Sequence, residues 1–427
     1  MELLKRPRSS LLSATPRDRR VMAICGDTQV GLWVVRSLGR AALKVYAVCR
    51  TPGGLASHSR YAAGAWAAPM SASDPSFIDQ VEALARRLDV GSIMTISESY
   101  HLALINARDR FEPDIHLFSP SKDCFDKAID KDYMQKLCVR LGVPVAKGTT
   151  LQKLMRPRSR EKLRFPLVLR TRNLHEMSGR SVWKAAYAEN EHQLAELHES
   201  VSDIADNIVV QEYHPGVEDH VQILMHEGQP FMVGDYIGED HMPLAGGVTV
   251  QRVSCRHEQL IDDAVRLLQS INWQGIAGVQ FHYDPQTDEY IFLEINPRFI
   301  GGLPTVIMAG FDAPFLLWQS HFEPHRMRRG RYELGLRTRI LGGHANWMLG
   351  MIRGDQLPPG QKRLGKLAAV GRFLWNSGPW TRDDTFWLRD VKPALVDWRH
   401  MAGRLGSDTV DIIGNPDGKP EPAETPR

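Results

Sequence analysis

The chain has 427 residues, a formal net charge of +3, 24% charged and 43% hydrophobic residues. That length allows two or three domains with cores of their own, and the near-balance of charge excludes a protein built around a nucleic-acid footprint. No apolar run reaches the length of a membrane span, and five cysteines without a C-x-x-C spacing predict reduced cytosolic thiols rather than a disulfide frame or a zinc site.

Residues 1–20 are basic (Lys5, Arg6, Arg8, Arg17, Arg19, Arg20) but lack the apolar core of a secretion signal. They read as a disordered arm, with an organelle address as the other reading. Residues 21–25 predict a strand, 26–31 a loop, 32–38 the start of a helix and 44–49 the next strand, a β-α-β opening. The loop lacks G-x-G-x-x-G, and Arg50 rather than an acid ends the second strand, which argues against a dinucleotide site. A later strand at 92–96 ends at Ser97-Glu98-Ser99. Ligands of open parallel sheets sit at the carboxyl ends of strands, so residues 26–29, Arg50 and residues 97–99 form a candidate pocket. Equally, the glycines serve the turn and Ser97 caps a helix.

A helical run from 119 to 141 is stopped by Gly142-Val143-Pro144 and carries Asp130-Lys131. Residues 165–170, FPLVLR, predict a strand with one face apolar and the other, carrying Arg170, turned to a ligand. The planar fork of arginine suits phosphate oxygens. Residues 172–181, RNLHEMSGRS, form a loop with one glycine, Gly179. Residues 189–201 predict a helix and 208–213 a strand containing Gln211, Glu212 and Tyr213, followed by His214-Pro215-Gly216-Val217-Glu218. Segments 220–225 and 230–237 continue the sheet, 244–248 is a loop, and 258–271 is an amphipathic helix.

Residues 278–298, GVQFHYDPQTDEYIFLEINPR, read as strands at 279–283 and 290–295 joined by the polar turn Asp284-Pro285-Gln286-Thr287-Asp288. Alternation puts Gln280 and His282 on one face, and Glu294 and Asn296 on one face. Arg298 follows, held by Pro297. Hard cations such as Mg²⁺ take oxygen ligands, and Glu294 with Asn296 fits that need. E-x-N alone is no more than the polar face of an edge hairpin. Gln280, Glu294, Asn296 and Arg298 at spacings of fourteen, two and two point to a metal beside a reaction at phosphate. His282 is read as a core or rim residue outside the site.

This hairpin resembles the metal-binding strand pair of the ATP-grasp ligases, most closely the carbamoyl-phosphate-synthase-like, carboxylate–amine ligase branch. The following GGLPTVIMAGFDAP resembles that family's loop and helix, and the resemblance spans roughly 21–324. It implies an α/β (α+β) chain with the ATP-grasp fold. An N-terminal Rossmann-like pre-ATP-grasp domain occupies 21–119, a linker helix and lid subdomain 120–210, and the C-terminal ATP-grasp subdomain 211–324. Asp130-Lys131 with Gly142-Val143-Pro144 is similar to a family signature that places Lys131 on the ATP phosphates, and Arg170 takes the second such place. The flap at 172–181 has fewer glycines than the family's. Gln211, Glu212 and Tyr213 would form the hinge whose backbone meets adenine, and Glu218 would accept hydrogen bonds from ribose hydroxyls. Gln280, Glu294 and Asn296 would hold Mg²⁺ (or Mn²⁺), while Arg298, Lys131 and Arg170 stabilise the transferring phosphoryl group. The implied activity is that of a cytoplasmic ATP-dependent ligase acting on a small-molecule carboxylate and an amine through an acyl phosphate. Bicarbonate or carbamate phosphorylation is one rival. Nucleotide binding without turnover is another, and the single-glycine flap is its support.

Composition shifts after 324, with a basic cluster at Arg326, Arg328, Arg329 and Arg331. Residues 325–405 carry five of the ten tryptophans (Trp347, Trp375, Trp380, Trp387, Trp398) and amphipathic segments at 345–352 and 364–374. The expectation is a helical appendage that buries its tryptophans on the core; a helix lying on a membrane surface is the rival. Residues 406–427 are polar and proline-containing and read as disordered.

Overall fold

The computed structural model describes residues 14–24, 27–67, 71–156, 162–171 and 186–404. The expected flap at 172–181, most of the basic arm, Gly26 of the first turn and the tail from 406 lie outside the described residues.

The first layer contains β1 (Arg20–Ile24), α1 (Gln29–Arg40), β2 (Lys44–Cys49), β3 (Ala62–Ala67), α2 (Phe77–Arg87), β4 (Ser92–Thr95), α3 (Glu98–Asn106) and β5 (His116–Leu117). These strands form a parallel sheet in the order β3-β2-β1-β4-β5. Its central strands are short apolar runs buried on both faces, as helices covering a parallel sheet require. Strand order reverses between β1 and β4, which opens a crevice at their carboxyl ends. Asp27 is used there: it accepts the Arg50 N–H (2.5 Å) and the Thr51 hydroxyl (2.6 Å), drawing the end of β2 over that of β1.

The expected disordered arm ends sooner than the sequence suggested. The Ala14 N–H donates to Glu323 (2.9 Å), the buried Trp318 indole donates to the Asp18 carbonyl (3.0 Å), and Arg20 already belongs to β1. A buried indole N–H needs an acceptor, and the last residues of the arm supply it.

Next come α4 (Lys122–Ile129), α5 (Lys131–Leu141), β6 (Gly148–Thr150), α6 (Leu151–Leu154), β7 (Leu167–Thr171), β8 (Ala186–Ala188), α7 (Glu191–Ser200) and β9 (Ile208–Glu212). The four strands form an antiparallel lid sheet, β6-β9-β7-β8, over a core of Leu151, Leu167, Leu169, Ile208 and Val210. The single helical run expected to reach Leu141 is two helices. Asp130 leaves the helical region (φ −77°, ψ 101°), and its carboxylate accepts the N–H groups of Asp132 and Tyr133 at 3.0 Å each. That cap starts α5 and places Lys131 first in it. Gly142, at φ +71°, ends α5 as expected.

The largest layer contains β10 (Val217–His226), β11 (Gln229–Met242), β12 (Val248–Cys255), α8 (Glu258–Ser270), β13 (Gly275–Asp284), β14 (Glu289–Asn296), α9 (Leu303–Met308), α10 (Ala313–Phe322), β15 (Arg337–Arg339), α11 (Leu341–Arg353), α12 (Lys366–Trp375), β16 (Thr381–Asp383) and α13 (Lys392–Arg404). Its seven strands run β14-β13-β10-β11-β12-β15-β16. One face buries Val221, Ile223, Val279 and Phe281 against Leu260, Ala264, Leu267 and Leu268 of α8. The opposite face is polar and builds the site.

The C-terminal region is not purely helical. β15 continues the large sheet from β12, and β16 adds to β15 in parallel. The region also reaches back to the first layer. Arg36 pairs with Asp390 at 2.9 Å with both side chains buried, and Arg252 of β12 pairs with Asp384 at 2.7 Å. The tryptophans divide. Trp347 is buried, and Trp387 stacks between Trp33 and Tyr61. Trp375 and Trp380 are 67% and 49% exposed and lie against each other. Burial of all five, as expected from sequence, does not occur: α12 turns only Ala369 fully inward. Among the described residues no helix is long and apolar enough to cross a membrane.

Candidate active site

Strand register assembles the site. Gln280 lies opposite Glu294, and Gly278 opposite Asn296, on β13 and β14. Glu218 and His220 of β10 lie opposite His282 and Gln280 of β13. Alternation therefore places all of these side chains on the polar face, as one row across three strands. The Asn296 amide donates to Glu294 Oε1 at 3.3 Å. Gly278 has no side chain for a physical reason: a Cβ there would stand 2.0 Å from Ile300 Cγ2. The loop after β14 thus folds back over β13, and Gln222 fixes it by accepting the Ile300 N–H (2.9 Å) and donating to the Ala277 carbonyl (2.7 Å).

That loop carries Arg298, whose Nε donates to Glu98 Oε1 at 3.0 Å. Glu98 opens α3 at the crevice of the first layer, so the strand-end loop of one sheet and the polar row of another meet at this ion pair. Ser97 precedes α3 without capping it; its hydroxyl contacts Ser99 at 2.8 Å instead.

Glu218 stands among imidazoles. His220 and His241 approach it at 3.3 and 3.5 Å, and the Thr249 hydroxyl donates at 3.4 Å. Burial alone would raise its pKa, but the two histidines outweigh burial and hold the carboxyl well below its ordinary range. His241 is correspondingly raised: burial works against its charge, and contact with Glu218 prevails. His282, left out of the site on sequence, faces the same space with its Nδ1 buried and unbonded, and burial lowers its pKa to about 4.

The lid closes this space from the other side. Tyr213, just past β9, lies 6.4 Å from the His282 ring, and the Tyr187 hydroxyl donates to the Ala245 carbonyl at 2.7 Å across the cleft. Burial raises Tyr213 to about 12, with Tyr187 adding to the shift and the charge of Arg170 opposing it; Arg170 is half-buried at the end of β7. Gln211 and Glu212 are half-buried beside it. The N–H groups of Glu212 and Tyr213 already donate to Lys147 and Pro166 carbonyls (2.9 Å each), so these two present no spare donor to a ring nitrogen. Lys131 is exposed at the start of α5.

Residues 205–339 match a family model described as "ATP-grasp in the biosynthetic pathway with Ter operon". The fold is ATP-grasp. Similar solved structures include an ADP complex of N5-carboxyaminoimidazole ribonucleotide synthetase (14% identity, TM-score 0.59, covering 85% of this chain and 98% of that one). Another is the biotin carboxylase domain of 2-oxoglutarate carboxylase from Hydrogenobacter thermophilus with MgADP and bicarbonate (15%, TM-score 0.57, 75% and 73%). A third is L-amino acid ligase from Bacillus licheniformis (16%, TM-score 0.53, 72% and 75%). At these identities the likeness is one of fold.

Within the ATP-grasp frame the lid sheet and the large sheet enclose the cleft, and the first layer adds the crevice beside Arg298. Sequence reasoning missed His220 and His241, and it placed Glu98 in the candidate pocket without its pairing to Arg298. His220 was within reach, since it alternates with Glu218 on one strand. His241 comes from a neighbouring strand at a distance no spacing rule covers, and Glu98 lies two hundred residues from its partner.

Proposed function

We propose that the chain is an ATP-dependent ligase that activates a small-molecule carboxylate as an acyl phosphate, which an amine then displaces. The observation that carries this reading is the ion pair of Arg298 with Glu98, which joins the Gln280, Glu294 and Asn296 row to the crevice of the parallel sheet. A phosphoryl donor on the row and an acceptor in the crevice would meet there.

The donor set fits a hard divalent cation. Its atoms are carboxylate and amide oxygens, and the Asn296 amide N–H₂ turns towards Glu294, which leaves the carbonyl oxygen of Asn296 for a metal. Mg²⁺ or Mn²⁺ held by Glu294 and Asn296, with Gln280 beside them, supplies charge screening for phosphate oxygens. Arg170 is half-buried at the end of β7 and Lys131 stands at the start of α5, and in this reading both grip the phosphates. Glu218, kept ionised by its histidines, accepts from ribose hydroxyls, and the hinge at Gln211, Glu212 and Tyr213 lines the adenine. An oxygen of the acid bonds to the γ-phosphorus as the bond to the bridging oxygen of ADP breaks. The amine nitrogen then bonds to the acyl carbon, phosphate leaves with the acyl oxygen, and the amine proton passes to solvent. The chain contributes position and positive charge, Arg298 foremost. The compartment would be the cytoplasm.

Incubating the chain with ATP, Mg²⁺, hydroxylamine and a panel of acids tests this directly. Acyl hydroxamate formed only with ATP and one class of acid is expected. Tight ATP binding with neither hydroxamate nor ADP release for any acid would leave a nucleotide-binding protein without turnover. The likeness to a carboxylase domain holding MgADP and bicarbonate supports a second reading, phosphorylation of bicarbonate or carbamate. ADP release that depends on bicarbonate alone would select it.

A further inference from the structure

The face of the large sheet turned away from the cleft holds a second cluster. Asp219 lies between Glu218 and His220 on β10 and so points to the opposite face. Asp235 of β11 is level with Val221 of β10 and directly opposite Cys255 of β12. His257 follows Cys255 by two residues and occupies the cap position of α8. One ligand atom from each of these four residues lies within 4.8 Å of the others. His257 Nδ1 is 2.6 Å from Asp219 Oδ2 and 3.7 Å from Cys255 Sγ, which in turn is 4.0 Å from Asp219 Oδ2.

The cluster is unsatisfied as a set of side chains alone. Asp219 and Asp235 are 0% and 1% exposed, and the Oδ1 atom of each is buried without a hydrogen-bond partner. Two neighbouring buried carboxylates with orphaned oxygens are costly unless something positive sits between them. The remaining oxygens are already placed: Asp235 Oδ2 accepts the His257 backbone N–H at 2.7 Å, and Asp219 Oδ2 meets the imidazole. Asp219 Oδ2 already converges with His257 Nδ1 and Cys255 Sγ, and the orphaned oxygens leave each carboxylate a second atom to offer a ligand. Burial raises Asp219 to about 7, and burial with the two carboxylates raises the Cys255 thiol.

We infer that Asp219, Asp235, Cys255 and His257 form a binding site for a divalent ion of the zinc class, separate from the cation row at Glu294. Sulfur with imidazole excludes Mg²⁺ and Ca²⁺ as preferred occupants, and two carboxylates beside them complete a four-ligand set of the kind zinc takes. Tetrahedral zinc with bonds of about 2.0–2.3 Å spaces its ligand atoms roughly 3.3–3.8 Å apart. The Cys255–His257 and Cys255–Asp219 distances are close to that range, and the His257–Asp219 contact opens by under about 1 Å on loading. Tyr283 packs on the His257 ring at 4.5 Å and holds its plane. Binding displaces the thiol proton of Cys255 and any proton on the carboxyl pair to solvent, and the proton between His257 Nδ1 and Asp219 gives way to the metal, the neutral ring keeping its proton on Nε2; no electron moves. With four protein ligands the site is closed, and it ties β10, β11, β12 and the start of α8 together beneath the nucleotide cleft. Its chemistry is independent of the ligase reaction.

The test uses the full chain, stripped with chelator and titrated with Co²⁺ and then Zn²⁺. One equivalent of Co²⁺ is expected to give a thiolate-to-cobalt charge-transfer band in the near ultraviolet and strong tetrahedral visible bands, both erased by one equivalent of Zn²⁺. Cys255→Ser removes the charge-transfer band, Asp235→Asn weakens Co²⁺ binding at least tenfold, and Glu294→Gln leaves the spectrum unchanged. Should the variants fail to fold, the wild-type chain still decides. Zinc is expected to protect Cys255 from alkylation, read peptide by peptide by mass spectrometry. Absence of the charge-transfer band, or a band and an alkylation pattern indifferent to Cys255, overturns the site and leaves the carboxylates as a proton-sharing pair.

Discussion

Glu294 is the only carboxylate among Gln280, Glu294 and Asn296, so its charge decides whether a cation is held there. Glu294→Gln keeps the shape and is expected to abolish Mg²⁺-dependent ADP release while the thermal melt stays put; ADP release at the wild-type rate would remove the metal role. Lys131 and Arg170 are assigned to phosphates and Glu218 to ribose, so their effects on two nucleotides should differ. Lys131→Ala and Arg170→Ala should each weaken ATP binding by roughly ten- to hundredfold, the value of a charge-assisted hydrogen bond, and AMP binding far less. Glu218→Gln should weaken both alike, and calorimetric titration separates the patterns. A different residue sets a pH dependence. Burial, then the charge of Arg298, lowers His101 to about 3. An unfolded imidazole takes its proton near 6.5, so the unfolded state binds more protons below that pH and stability falls as pH drops. At pH 5 the loss from this one group is about 2 kcal/mol. His101→Gln, which can still meet the Ser119 hydroxyl now 2.7 Å away, should flatten the fall in melting temperature between pH 6.5 and 5. An unchanged slope would place the effect elsewhere.

Among elements, the hairpin β13–β14 was the most legible, because alternation and a polar five-residue turn fix register without help from the rest of the chain. The break between α4 and α5 was not. Both halves carry helical periodicity, and only the double hydrogen bond of Asp130 separates them. Asp130→Ala removes that cap and is expected to cost about 1 kcal/mol in urea unfolding. It should also lower ATP affinity, since Lys131 loses its fixed place at the first turn; a stability loss with unaltered ATP affinity would detach Lys131 from the nucleotide. β15 and β16 escaped notice for a plain reason. Arg337-Thr338-Arg339 and Thr381-Arg382-Asp383 are three residues each and carry no apolar alternation, so their strand character comes entirely from the neighbours they pair with.

For the whole molecule, the layers and their order were readable from the family's motifs, whereas the cross-ties were not. Asp219, Asp235, Cys255 and His257 are brought together by three strands and a helix start, and the C-terminal region ties to distant layers through single charges. Asp390 illustrates this: it receives Arg36, the Ser59 hydroxyl (2.7 Å) and the Arg60 N–H (2.8 Å) from the first layer. Asp390→Ala would strand a buried guanidinium and is expected to cost about 3–5 kcal/mol, read by chemical denaturation. A loss within the range of a surface pair, about 0–1 kcal/mol, would show that the tie is idle. The tie has a mechanical consequence. Asp390 grips α1 while Asp384 grips β12, so one short segment rivets the parallel sheet to the large sheet. Among the described residues the lid sheet shows no buried ion pair of this kind; across the cleft it shares the Tyr187–Ala245 hydrogen bond. On the proposed ligase reading the molecule would work as a vise with one fixed jaw: Glu98 and Arg298 would keep their distance, and a nucleotide would enter and leave by a swing of the lid.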